Sequence, residues 1–207
     1  SAAEQYAMNR PLIYLASRSP RRRELLDQIG VTYRVMAADL DESRRPGESP
    51  PGYVARVARD KAWAGYALAS DGIPVLAADT AVVLGEQILG KPRSQQQGLA
   101  MLMALSGRTH QVLTAVVLRH DRERLALSSS AVTFRRIAPE EALAYWRTGE
   151  PADKAGGYGI QGLGALFVER LEGSFSGVMG LPLFETARLL NQAGLDPLTA
   201  GARGETV

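Results

Sequence analysis

Three consecutive arginines, Arg21, Arg22 and Arg23, follow Ser17-Arg-Ser-Pro20 at what the sequence predicts to be the start of a helix. The unpaired N–H groups and the macrodipole already place about half a positive charge there. Each exposed arginine therefore opposes the helix by roughly 0.3–1 kcal/mol. A bound anion removes that opposition. A strand, a short serine-containing loop and a helix N-terminus make a ready phosphate cradle, to which Ser17, Ser19 and all three arginines would add hydroxyl and guanidinium donors. The alternative is a solvated basic first turn with Arg21 paired to Glu24.

Asp79-Thr80 closes the apolar run Val75-Leu-Ala-Ala78. A carboxylate at the end of a buried strand is fixed in place yet open to solvent, and suits Mg²⁺ or a water; it is equally an aspartate starting a turn. Asp39, Asp41 and Glu42 offer further hard oxygen ligands or form a solvated acidic loop. Lys61 lies on the alanine-rich helical stretch Ala58 to Ala64, and Lys91 precedes Pro92-Arg93. Either lysine could reach a triphosphate or snorkel to solvent.

Gly157, Gly159 and Gly162 match G-x-G-x-x-G, but that fingerprint needs a strand before it and a helix after it. Here a polar loop precedes and an apolar strand follows, so a dinucleotide reading is rejected. Gln161 in the same loop carries an amide donor and acceptor, which suit the alternating C=O, N–H, C=O edge of uracil or thymine. A plain tight turn is the alternative. His110 and His120 read as structural or solvated, and Trp63 and Trp146 sit at helical core spacing.

These residues need elements to position them. Leu12–Ala16 is a predicted strand, and Ser19 with Pro20 caps a helix that buries Leu25, Leu26 and Ile29 and stops at Gly30. Val31–Met36 is a second strand, Asp39–Pro51 a loop, and Gly52–Ser70 a long alanine-rich helix. Pro74–Ala78 is a strand whose apolar pattern resumes over Ala81–Leu84, with a turn at Gly85-Glu86 into Ile88-Leu89. Ser94 and Gln97 mark a helix that ends at Ser106-Gly107. Thr109–Leu118 and Leu125–Phe134 are antiparallel strands, and Pro139 opens a helix that Gly149 ends. A strand over Ala165–Leu171 and a helix from Pro182 to Gly194 complete an α/β pattern with a mixed sheet.

With 207 residues and 45% of them hydrophobic, the chain can bury the core of one domain. No apolar run approaches the ~20 residues of a membrane span. The absence of cysteine excludes disulfides, thiolate catalysis and cysteine-ligated metals, and points to a reducing cytoplasm. Two histidines argue against a multi-histidine metal site or a long proton relay. Basic residues exceed acidic ones only 24 to 22, too little to suggest nucleic-acid binding. Residues 1–10 read as a lead lacking order, a processed end or an expression remnant. Residues 11–193 form one catalytic domain, and 194–207 a polar, frayed tail.

The ordered motifs Leu15-Ala-Ser-Arg-Ser-Pro-Arg-Arg22, Ala78-Asp-Thr80, Lys91-Pro92, Leu105-Ser-Gly-Arg-Thr-His-Gln-Val112, Asp153-Lys-Ala-Gly156, Tyr158-Gly-Ile-Gln-Gly162 and Gly180-Leu-Pro-Leu183 together resemble the Maf-like nucleoside triphosphate pyrophosphatases, in particular the subgroup acting on dTTP and UTP. The resemblance implies an α/β fold of the Maf and ITPase-like kind: a mixed, strongly curved sheet flanked by helices, in two lobes around a central cleft. It implies hydrolysis of the α–β phosphoanhydride with Mg²⁺ or Mn²⁺, a homodimer, nucleotide-pool cleansing and a link to cell-division arrest. By resemblance, Asp79 matches the general base and Glu42 an acidic residue near the metal, while Lys61 and Lys91 match catalytic cations. Ser17, Arg21 and Arg22 match the phosphate site, and Arg21, Thr80 and Gln161 match positions of substrate choice. Two rival readings are a nucleic-acid-binding module, for which only Tyr14 and Phe134 lie near the basic clusters, and a non-enzymatic regulator of division.

Overall fold

The computed structural model describes residues 1–69 and 71–202, with the backbone alone at 6, 7 and 200–202. In chain order the strands are β1 (Ile13–Leu15), β2 (Tyr33–Val35), β3 (Val75–Leu84), β4 (Gln87–Leu89), β5 (Thr109–Arg119), β6 (Glu123–Phe134) and β7 (Val168–Glu172). The helices are α1 (Ala2–Met8), α2 (Pro20–Gln28), α3 (Pro50–Leu68), α4 (Gln95–Leu105), α5 (Pro139–Arg147), α6 (Phe175–Met179), α7 (Leu183–Gln192) and α8 (Pro197–Ala202). The sheet runs β2-β1-β3-β5-β6-β7, with β4 on the edge of β3. It is parallel across β2, β1 and β3 and antiparallel elsewhere, as a mixed α/β pattern predicts.

Local signals explain several boundaries. Ser19 accepts the Arg22 N–H and Pro20 occupies the first turn of α2, while Gly30 takes φ +70° just past its end. Ser94 accepts the Gln97 N–H, but the Gln97 side chain returns to the Arg93 N–H, so the capping box is offset by one residue. Ser49 caps α3, which starts at Pro50, two residues before the predicted start, and its predicted end, Ser70, lies outside the described residues.

Three apolar clusters fill the molecule. Leu76, Ala78, Val116 and Leu118 meet α2 and α7 on one face of the sheet. Val75, Ala77, Ala81 and Ala115 meet α3 on the other, where Gly65 passes so close that a Cβ would lie 2.9 Å from Val75. The third cluster joins Val82, Leu102, Phe134, Tyr145 and Phe167 beyond the far end of β3. Long β3 thus links the first two clusters to the third, in two lobes with a cleft of about 860 Å³ between them. No helix among the described residues is long and apolar enough to cross a membrane.

Some expectations change. Asp79 is in the middle of β3, not at a strand end, because β5 pairs continuously with residues 75 to 83. Trp63 is 48% exposed beneath the Arg119 guanidinium, 4.0 Å away, and is not a core residue. Residues 163–167 form a 3₁₀ turn, so β7 begins three residues late. The lead carries helix α1 under a Ser1 capping box. Of the predicted tail, 197–202 form α8 and 203–207 lie outside the described residues.

Candidate functional site

The sheet exposes an edge where the chemistry gathers. β1 pairs with β3 only at Val75 and Leu76, and β4 pairs with it only from Val82. Between these points β3 has β5 on one side and, among the described residues, no strand on the other, so Ala77 to Ala81 present an unpaired edge. Successive side chains of a strand face opposite ways. Asp79 accordingly turns toward α3, and Thr80 toward α2 and α6. The gap opens both faces to the cleft, and both residues line it.

On the α2 side, Arg22 is buried and anchored at three points. Its Nε donates to the Gly180 carbonyl at 2.7 Å, one terminal nitrogen to Ser17 Oγ at 3.3 Å and the other to Thr80 Oγ1 at 3.2 Å. Thr80 and Thr114 hydroxyls lie 2.9 Å apart, and Thr114 donates to the Gly177 carbonyl. A hydroxyl has one proton, so Thr80 must donate to Thr114 while accepting from Arg22. Thr80 therefore presents a lone pair, not a proton, to the cleft. Burial lowers the Arg22 pKa, opposed by the negative charge of Asp79.

The three arginines do not act alike. Arg22 finds protein acceptors for three of its five N–H bonds, leaving two for a ligand. Arg21 lines the cleft and makes no ion pair with Glu24, whereas Arg23 is exposed outside it. Ser17 is behind the cleft wall, holding Arg22 and the Ser19 N–H. Of the nine residues singled out, the other eight border one cavity.

On the α3 side, Lys61 is one turn before Gly65 on the same helix face. Its ammonium is 3.2 Å from Asp79 Oδ1, 3.2 Å from Glu42 Oε1 and 3.3 Å from the Ala78 carbonyl on the free edge. Lys61 is thus neither free nor snorkelling. Burial raises the Asp79 pKa above the usual carboxylate range, with Lys61 and Arg22 opposing. Asp79 Oδ2 has no partner among the described residues. Asp39 instead pairs with Arg18, and Asp41 accepts from Ser43, so neither joins Glu42 at the site.

The described residues contain no group of three or more His, Asp or Glu suited to a metal. Glu42 and Asp79 would be the protein donors. Two carboxylates completed by phosphate oxygens and water fit Mg²⁺, which seldom occupies all-protein cages.

Lys91 and Gln161 also border the cleft, and the Gln161 amide makes no hydrogen bond among the described residues. Gly157 takes φ +71°, a Cβ on Gly159 would meet the Lys154 stem at 2.7 Å, and one on Gly162 would meet Glu150 at 1.9 Å. Close packing and backbone shape account for the false dinucleotide fingerprint. Sequence reasoning missed Tyr53, Thr114 and Lys154. Tyr53 donates to the Glu42 carbonyl at 2.6 Å and fastens the acidic loop, while Lys154 adds a cation to the cleft wall. Only a buried threonine facing Thr80 across β5 could have flagged Thr114, and that needs the register.

The sequence pattern of the family described as "Maf-like protein" matches residues 12–193. The chain is 58% identical to a dTTP/UTP pyrophosphatase of Saccharophagus degradans, over 86% of this chain and 87% of that protein. A protein of the same description from Alkalilimnicola ehrlichii is also 58% identical, over 90% and 95% respectively. One from Methylococcus capsulatus is 55% identical, over 92% and 96%. Among solved structures, the Ham1 protein of Staphylococcus aureus aligns with a TM-score of 0.43 at 16% identity, over 59% of this chain and 71% of that one.

Proposed function

The chain belongs to the Maf-like protein family, and from that premise we infer that it hydrolyses dTTP and UTP to the nucleoside monophosphate and pyrophosphate. The observation that carries the reading is the unpaired edge of β3. There a lysine-held carboxylate on the α3 side and a helix N-terminus on the α2 side, bearing Arg21 and the two remaining N–H bonds of Arg22, border one cleft. Phosphoryl transfer asks mainly for positioning and charge neutralisation. Arg21, Arg22 and Lys91 border the cavity as cations for the phosphate chain.

Asp79 is the base. Its free Oδ2 can take a proton from water as the water oxygen attacks the α-phosphorus and the α–β bridging bond breaks toward pyrophosphate. Burial makes it a stronger base than an exposed aspartate, and Lys61 fixes its direction. Glu42 and Asp79 would hold Mg²⁺ or Mn²⁺, which when bound neutralises charge on the phosphates. Gln161, with its amide free, would read the pyrimidine edge. Tyr14 and Phe134, the aromatics nearest the basic clusters in sequence, are buried and cannot stack on bases from the surface.

A pyrophosphate-release assay over the common NTPs and dNTPs, with Mg²⁺, Mn²⁺ and excess EDTA, tests this. The expected result is pyrophosphate from dTTP and UTP, abolished by EDTA and lowered at least ~100-fold in a folded Asp79→Asn variant. Orthophosphate as the initial product would refute the bond assignment. Full activity in EDTA would refute the metal.

A further inference from the structure

The segment carrying Gln161 is tied down from outside the cleft. Leu163 N–H donates to Glu150 Oε1 at 2.8 Å and Gly164 N–H to Glu150 Oε2 at 3.0 Å. Gly159 N–H donates to the Tyr145 hydroxyl at 3.0 Å, and that hydroxyl donates to Glu150 Oε2. One carboxylate and one phenol thus fix the chain two residues before Gln161 and two and three residues after it. A Gly162 N–H to Gly159 carbonyl bond at 3.2 Å closes the turn between them. Burial opposes ionisation of Glu150, but the Tyr145 hydroxyl and the two backbone N–H groups hold its pKa below the usual range. Neither Glu150 nor Tyr145 borders the cleft, whereas Gly159, Ile160 and Gln161 do.

We propose that Glu150, acting with Tyr145, is a positioning residue that sets the aim of Gln161 and thereby the preference for pyrimidine triphosphates. This rests on the reading above that Gln161 faces the base. The fit is specific: all three groups around the carboxylate are donors, so an ionised glutamate satisfies every one. Glutamine would keep one acceptor oxygen and turn an NH₂ toward a donor. The loop then loses one tie while Arg22 on α2, Lys61 on α3 and Asp79 and Thr80 on β3 keep theirs.

The test measures kcat and KM for dTTP and GTP in the intact chain, in Glu150→Gln and in Tyr145→Phe, with hydrogen–deuterium exchange of residues 159–164. Expected are faster exchange at Leu163 and Gly164, a dTTP-to-GTP ratio of kcat/KM lowered by about 10–100-fold, and most of the loss in KM, in line with ~1 Å misplacement of a contact group. A merely structural role would lower the active fraction for both substrates alike and leave the ratio unmoved. If Glu150→Gln does not fold, Tyr145→Phe, which removes one oxygen, carries the same expectation. An unchanged ratio in the folded variants, with the unaltered chain active, overturns this inference alone. Absence of pyrophosphate release by the unaltered chain overturns both it and the function proposed above.

Discussion

Replacing Lys61 by Met should move the acid limb of kcat/KM to higher pH. Lys61 Nζ is 3.2 Å from Asp79 Oδ1, with 15% and 13% of the two side chains exposed. Coulomb's law at that distance with an effective dielectric of ~20 gives about 5 kcal/mol. Residual solvent and Glu42 reduce it, so about 3 kcal/mol is the lower end for breaking a buried pair. At 1.36 kcal/mol per pH unit this is about 2 units. The sign follows from the chemistry: Asp79 must be ionised to accept a proton, its pKa is already raised by burial, and Lys61 is the largest influence lowering it. Without that cation the pKa rises further, and the ionised fraction at a given acidic pH falls. The assay is pyrophosphate release from dTTP at low substrate across the acidic range, with Lys61→Arg as the charge-preserving control. An acid limb displaced by less than about half a unit in a folded Lys61→Met variant would show that Lys61 does not govern Asp79.

Gln161→Glu should lower kcat/KM for dTTP and UTP by roughly 5–150-fold, because an ionised glutamate loses the donor and sets charge against a carbonyl. GTP should suffer less, and an unchanged dTTP-to-GTP ratio would remove Gln161 from base reading. Burial lowers the His110 pKa from 6.5 to about 4, so the folded imidazole stays neutral where the unfolded one takes a proton. Stability should therefore fall as pH drops from 6.5 toward about 4, by up to roughly 3 kcal/mol. Urea unfolding of the unaltered chain and of His110→Leu across that window checks this, and an equal pH slope in both would exclude His110 as the source.

Much of the scaffold was legible because its signals are local. Ser19-Pro20, Ser94-Gln97 and Gly30 mark helix ends by hydrogen bonds and backbone angles within one turn. The long hairpin of β5 and β6 shows in apolar runs flanking a charged turn. Trp63 misled because α3 packs on the sheet through Val54, Val57, Ala58, Ala62 and Gly65, so its contact face is lined with small and branched residues. Close approach leaves no room for an indole, and Trp63 stacks with Arg119 on the surface instead. Helix α6, five residues with an internal glycine, has no periodicity to read.

The candidate site was legible as residue types but not as hydrogen-bond commitments. Sequence shows three arginines at a helix start and suggests an anion to relieve them. The fold gives Arg22 the Gly180 carbonyl, Ser17 and Thr80, so this arginine is stabilised before any phosphate arrives, and only part of its donor set remains. Sequence likewise places Asp79 at a strand end because Asp-Thr interrupts an apolar run. The strand continues because β5 pairs past it, and Asp79 is reachable for a different reason: β1 pairs with β3 only as far as Leu76, and β4 pairs with it only from Val82. One limit of that interval is set by the local β3–β4 hairpin, but the other depends on the register of β1, distant in sequence, which no window of residues around Asp79 contains. It leaves the Ala78 carbonyl without a strand partner, and Lys61 supplies one while aligning Asp79. The same missing pairing thus exposes Asp79 to the cleft and recruits the cation that orients it.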